Sequence, residues 1–205
     1  MVSFRRWISL AGIYAVGIRI RVEYETPIDW SQNYVLCANH TSFLDITILN
    51  YLCKSPFSFM GKIELLKNPV TRIFFQTIDI PVKRDSKISA FKAYKRALEL
   101  LQEGKSLAIF PEGRIEHDYP PLLHRFKSGA FRMAYANQTP ILPIVIQDAW
   151  QILWDDGKTY GAKPGVIHVK VLAPIIPNAD GGEAFSSLEA EVYHKMKEAW
   201  NICNK

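Results

Sequence analysis

The chain has 205 residues, of which 48% are hydrophobic, so it is long enough to bury one substantial core and too short for several ordinary domains. A formal net charge of +5 makes the surface mildly basic, which suits phosphate-bearing partners without choosing among nucleic acid, anionic lipid or a phosphorylated small molecule. The three cysteines, Cys37, Cys53 and Cys203, are odd in number and lack CxxC spacing, which argues against a disulfide framework and for reduced core thiols in a reducing compartment.

Arg5 and Arg6 precede a nearly uncharged run from Trp7 to Ile18. The run is shorter than the roughly 18 to 20 apolar residues that span a bilayer. It leads directly into the alternating segment Ile18–Tyr24, which has the period of a strand and argues against a cleaved signal peptide. Residues 1–17 are therefore expected to form an N-terminal helix that lies in a membrane interface, with Phe4, Arg5, Arg6 and Trp7 contacting it. The competing expectation is a helix packed on its own domain. Residues 18–205 are expected to form a single domain.

Tyr34–Ala38 is a continuous apolar run, the pattern of a strand buried on both faces, and residues 42–52 read as a helix. Phe57–Met60 is a short strand, Pro69–Gln76 a helix with proline in its first turn, and Asp79–Arg84 another strand. Ile88–Glu103 carries apolar positions at helical spacing and stops at Gly104. Leu107–Phe110, Ile141–Ile146 and Val166–Leu172 read as further strands, Ser128–Asn137 as a helix, and 147–164 as a loop with local turns. Ser186 and Glu189 have capping-box spacing and are expected to open the last helix. Such alternation predicts an α/β fold with a mostly parallel central sheet flanked by helices.

Two turns stand where chemistry gathers in such folds, outside the carboxyl ends of strands. Asn39-His40-Thr41-Ser42-Phe43-Leu44-Asp45 follows the first buried strand. Its histidine can take a proton from a hydroxyl, and its aspartate can hold the ring. The same residues also suit a plain helix cap, with Thr41, Ser42 or Asp45 as the cap. Phe110-Pro111-Glu112-Gly113-Arg114 follows a second strand: the glycine permits a tight turn, the arginine offers a planar fork for phosphate oxygens, and Glu112 suits a hydroxyl or a bond to Arg114.

Together these motifs resemble those of the glycerolipid acyltransferases, the family typified by 1-acylglycerol-3-phosphate acyltransferase. Asn39, His40 and Asp45 match the first block, and Lys62, Glu64, Leu65, Pro69 and Arg84 resemble the second. Phe110–Arg114 followed by Phe126-Lys127-Ser128-Gly129-Ala130 matches the third, and Ile141-Leu142-Pro143-Ile144 the fourth. The resemblance implies a glycerol-3-phosphate acyltransferase-like fold and transfer of a fatty acyl group from acyl-CoA or acyl-carrier protein to a lysophospholipid hydroxyl. The simplest such reaction makes phosphatidic acid from 1-acyl-glycerol-3-phosphate, and another lyso-lipid is the alternative. It implies His40 as general base, Asp45 as its orienting partner, and no acyl-enzyme, with backbone amides of the His40 turn stabilising the oxyanion. Arg84, Glu112, Gly113, Arg114 and Lys62 would bind the acceptor. No metal or cofactor beyond the thioester co-substrate is implied. The expected partners are the membrane surface, a lysophospholipid and an acyl-carrier protein, at the cytoplasmic face of the membrane as a peripheral or monotopic protein. A non-catalytic lipid-binding protein and a hydrolase are the competing functions.

Two departures bear on the acceptor. Arg114 stands directly after Gly113 where many members carry Thr or Ser, and the glycine often found before the arginine of the second block is missing near Arg84. His117, Asp118 and His124 lack metal-ligand spacing and read as a solvated loop, and His168 as an ordinary strand residue. The basic band from Lys54 to Lys105 reads as a solvated face or as a surface for anionic lipid or an acidic carrier. No recognition fold or aromatic platform accompanies it, which disfavours nucleic acid.

Overall fold

Residues 1–83, 85–154, 157–177 and 184–203 are described by a computed structural model. Seven strands form one sheet: β1 (Ile18–Tyr24), β2 (Val35–Ala38), β3 (Phe57–Lys62), β4 (Ile80–Val82), β5 (Ser106–Ile109), β6 (Ile141–Ile146) and β7 (Gly165–Val171). Their order across the sheet is β1-β7-β6-β2-β5-β3-β4, and every neighbouring pair is parallel except β6 with β7. The expected mostly parallel sheet is therefore the observed one.

Side-chain alternation along the central strands divides the core in two. Val35 and Cys37 of β2, Leu107 and Ile109 of β5, and Ile141 and Val145 of β6 enter one cluster, while Leu36, Ala38, Ala108, Leu142 and Ile144 enter the other. Strands apolar at every position need helices on both faces, and these are present. The first face is covered by α4 (Lys87–Gln102), α5 (Gly129–Ala136) and α7 (Ala184–Cys203), whose inward residues include Ala97, Leu101, Phe131, Val192 and Met196. The second is covered by α1 (Val2–Ala15), α2 (Leu44–Leu52) and the short α6 (Ala149–Ile152). A 3₁₀ turn at Ile63–Lys67 and α3 (Pro69–Thr77) join β3 to β4, and α3 starts with the side chain of Asn68 accepting from the Val70 amide.

Several boundaries differ from the sequence reading. β4 begins after Asp79, whose carboxylate turns inward to accept from the Phe59 amide at 2.8 Å, and Arg84 lies outside the described residues. α7 begins at Ala184, ahead of the Ser186 that its spacing marks as a cap. The 147–164 segment contains α6 and a bridge between Leu153 and Ala162. His168 lies in β7, with its Nδ1 2.6 Å from Asp148 Oδ2.

The N-terminal helix corrects one expectation outright. Arg5 is buried at 4% exposure, so it cannot be an interfacial anchor. It donates to Asp79 Oδ1 at 2.6 Å and to the Phe57 carbonyl at 3.1 Å, and its guanidinium lies over the rings of Phe57 and Phe59. The helix is docked on the domain, with Ile13 in the core and Ser9 accepting from Asn50, while Phe4 and Trp7 stay exposed and Arg6 half-buried. Among the described residues no helix is long and apolar enough to cross a membrane.

Candidate active site

β2 and β5 are neighbours and parallel, so the turns that follow them leave the sheet side by side at the same end. Asn39 anchors the first turn: its amide donates to the Ile146 carbonyl at 2.9 Å and its oxygen accepts from the Ile146 amide at 2.7 Å, continuing the pairing of β2 with β6 through a side chain. The chain then turns into α2, and Asp45 falls in the first turn of that helix with no exposed surface.

Asp45 is not the helix cap; Phe43 holds that position. Its Oδ2 lies 2.9 Å from His40 Nδ1 and accepts from the amides of Thr41 at 2.7 Å and Ser42 at 2.9 Å. One carboxylate oxygen thus shapes the turn and orients the imidazole. The pairing makes Nδ1 the protonated nitrogen and leaves Nε2 as the ring's proton acceptor. His40 is further fixed by a stack on Phe110, with ring centroids 3.9 Å apart and 12° between planes.

Glu112 joins the two turns. Its Oε1 accepts from the His40 amide and its Oε2 from the His124 amide, both at 2.9 Å. Glu112 is 6% exposed, and both its carboxyl oxygens are engaged with backbone rather than with Arg114. Arg114 instead donates through Nε to Glu116 at 2.6 Å. The amides of His40, Thr41 and Ser42 all donate to carboxylates within the protein, so they are not free to stabilise an oxyanion, contrary to the sequence expectation.

Burial pushes the Glu112 carboxyl up to about 7; the two amides oppose this, and Asp45 and Glu116 add to it. From the ordinary 4.5 to about 7 the folded chain holds a proton that the unfolded chain has released. Stability from this group is therefore complete at the acid end of that window and declines as pH rises through it. Glu112→Gln abolishes the titration. In urea titrations the stability of the variant relative to the parent is expected to rise by roughly 3 kcal/mol between pH 4.5 and pH 8. Parallel pH profiles for the two proteins would contradict this.

Glu112 also lines a cleft of about 1000 Å³, together with Lys62, Glu64, Asp85, Arg114, Glu116, His124, Arg125 and Lys127. Gly113 stands at a φ of +84°, a conformation that favours glycine, and a Cβ there would meet Lys127 Nζ at 2.7 Å. The structure thus brings Lys62, Glu112, Gly113 and Arg114 together and links them to His40 through Glu112. Sequence reading passed over His124, Arg125 and Lys127 as functional positions. The 116–124 segment, expected to be solvated, folds back so that the His124 amide reaches Glu112. The motif Phe126–Ala130 was the available signal, since the Lys127 amide donates to the Pro111 carbonyl at 2.9 Å. Among the described residues no group of three or more His, Cys, Asp or Glu could hold a metal ion.

The sequence pattern of the family described as Acyltransferase matches residues 19–147, which contain both turns and every strand from β2 to β6. The chain belongs to the acyltransferase family. It is 31% identical over 135 residues to the 1-acyl-sn-glycerol-3-phosphate acyltransferase of Borreliella burgdorferi, covering 65% of this chain and 53% of that protein. It is 30% identical over 194 residues to the chloroplastic 1-acyl-sn-glycerol-3-phosphate acyltransferase BAT2 of Brassica napus, covering 91% of this chain and 54% of that protein. The chain thus spans about half the length of these curated relatives. The crystal structure of the 1-acyl-sn-glycerophosphate acyltransferase PlsC from Thermotoga maritima superposes with a TM-score of 0.80 at 20% identity, over 98% of this chain and 78% of that one, and so shares its fold.

Proposed function

We propose that this acyltransferase-family protein transfers a fatty acyl group from a thioester to the free hydroxyl of a lysophospholipid, most simply 1-acyl-glycerol-3-phosphate to give phosphatidic acid. The observation that carries the reading is the buried Asp45 carboxylate fixing His40 Nδ1 at 2.9 Å, which presents Nε2 as a base at the end of a parallel strand. Nε2 takes the proton of the acceptor hydroxyl as its oxygen attacks the thioester carbonyl. The tetrahedral intermediate then expels the thiolate, which recovers the proton from the imidazolium. The acceptor supplies the nucleophile, so no covalent enzyme intermediate is needed. Cys37, fully buried with its thiol pushed up to about 12, is unsuited to being one.

Lys62, Arg114, Arg125 and Lys127 line the cleft whose wall includes Glu112, the residue that accepts from the backbone amide of His40, and they suit the phosphate of the acceptor. Arg114 is oriented by Glu116, to which its Nε donates at 2.6 Å. Names of the relatives favour a glycerol-phosphate acceptor. The test is release of free thiol from acyl-CoA or acyl-carrier protein in the presence of a panel of lyso-lipids. Transfer is expected to be fastest to 1-acyl-glycerol-3-phosphate. Preference for an uncharged or amine-bearing acceptor would overturn the phosphate assignment, and thiol release without ester formation would indicate a hydrolase.

The acceptor is a lipid, and the proposed setting is the cytoplasmic face of a membrane, held peripherally by α1. Trp7 at 74% exposure and Phe4 at 54%, with the half-buried Arg6 between them, are the anchors that remain once Arg5 is removed from that role. Phe4→Ala together with Trp7→Ala is expected to lower binding to anionic phospholipid vesicles by about tenfold or more, with the melting temperature unchanged. Equal vesicle binding by parent and variant would place the membrane contact elsewhere.

A further inference from the structure

The first turns of α4 carry a surface that the proposed chemistry does not use, and it begins at the cleft edge. Asp85, just before the helix, lines the cleft. Ala93, Ala97, Leu100 and Leu101 are buried against the sheet, which turns Ile88, Phe91, Lys92 and Lys95 outward on one face at i, i+3, i+4 and i+7. Ile88 is 72% and Phe91 68% exposed. Lys83 and Lys87 are exposed beside them. Among the described residues the nearest carboxylate to any of these four ammonium groups is Asp85, 4.0 Å from Lys83.

Two large apolar side chains held side by side in water, ringed by lysines, mark an interaction surface rather than a solvated helix face. Position in the fold selects the occupant. α1, with its exposed Phe4 and Trp7, packs on the core of one face of the sheet, and α4 packs on the core of the other. A bilayer lying along α1 is therefore on the far side of the sheet from the Ile88–Phe91 face. That face opens to solvent beside the cleft, where a soluble, acidic, thioester-bearing protein can reach it.

We propose that this face of α4 docks an acidic acyl-carrier protein, its carboxylates on Lys83, Lys87, Lys92 and Lys95 and an apolar patch on Ile88 and Phe91, so that the thioester arm enters the cleft past Asp85. The proposal rests on the acyl-transfer reading and names the donor for the same site. Electrostatic docking of this kind governs encounter and is weakened by salt.

The test measures binding of a fluorescently labelled bacterial acyl-carrier protein to the full chain by anisotropy, beside transfer rates from palmitoyl-CoA. Phe91→Ser and the pair Lys92→Glu with Lys95→Glu change exposed residues only, and their folding is checked by melting temperature. Each is expected to raise the Kd for the carrier at least tenfold while leaving kcat/KM with palmitoyl-CoA within twofold. Absence of carrier binding by the parent chain, or the same Kd in parent and variants, would overturn the proposal. Loss of vesicle binding with an unchanged carrier Kd would overturn it in favour of a lipid contact. Carrier binding that α4 substitutions abolish, in a chain that transfers acyl groups from neither donor, would refute the acyl-transfer reading and leave the docking surface standing.

Discussion

Replacing His40 with alanine is expected to lower the rate of acyl transfer by about a thousandfold, within the range attributed to a positioned general base. The imidazole is partly exposed, with 14% of its side-chain surface accessible, so the loss falls on chemistry more than on folding. Removing it sacrifices the stack on Phe110 and a hydrogen bond to Asp45, and the Asp45 carboxylate keeps the Thr41 and Ser42 amides. The turn therefore survives. Asp45→Asn fails differently. An amide can keep its carbonyl oxygen in the place of Oδ2, where all three bonds converge, but it brings no negative charge to stabilise the imidazolium and puts its NH2 in the buried, unpartnered place of Oδ1. A drop in kcat approaching that of His40→Ala is expected, together with a lower melting temperature. The double variant is expected to be no slower than His40→Ala alone, because the two residues act as one unit. Thiol release measured with 1-acyl-glycerol-3-phosphate decides the matter. A His40→Ala protein that retains more than a tenth of the parent rate would remove the base from the mechanism.

The site and the sheet were legible in the sequence to different depths. Buried strands of a parallel sheet show as uninterrupted apolar runs, and Tyr34–Ala38, Leu107–Phe110 and Ile141–Ile146 all read correctly for that reason. The His40–Asp45 pair was legible because it is local: a turn and one helical step bring the two side chains together. Glu112 was not. Its neighbours in sequence suggest Arg114 as a partner, whereas its partners are backbone amides 72 and 12 residues away, and amides leave no mark in a sequence. The oxyanion expectation failed on the same ground, since the amides of the His40 turn had already been claimed by Asp45 and Glu112. Arg5 reads as an interfacial cation because it stands beside Trp7 and Phe4. Its ion-pair partner, 74 residues distant, is what reverses the reading.

That reversal makes Arg5→Ala the substitution with the largest expected effect on stability. The guanidinium sits between Asp79 and the rings of Phe57 and Phe59, with side-chain exposures of 5% for Arg5 and 3% for Asp79. Removing one member of a buried pair leaves the other charge without compensation, which costs about 3 to 5 kcal/mol. Burial already pushes the Asp79 carboxyl above the ordinary range, with Arg5 pulling it back down along with the Phe59 amide. Without Arg5 the carboxyl rises further. A group whose folded pKa lies above its unfolded value stabilises fully at pH below the unfolded value and loses that contribution as pH climbs through the folded one. Arg5→Ala is therefore expected to be destabilised less at pH 5, where Asp79 can take up a proton, than at pH 8. Adding Asp79→Asn should recover part of the loss at pH 8 and little at pH 5, because the amide still accepts from the Phe59 amide without carrying a charge. Urea unfolding of the two variants at both pH values measures this. A deficit of Arg5→Ala that is the same at pH 5 and pH 8 would show that packing over the two rings, rather than the ion pair, is what Arg5 contributes. Since Arg5 is the buried polar tie between the start of α1 and the sheet, weakening it should also free Trp7 from its fixed position, and vesicle binding is expected to fall without any change to the aromatic anchors themselves.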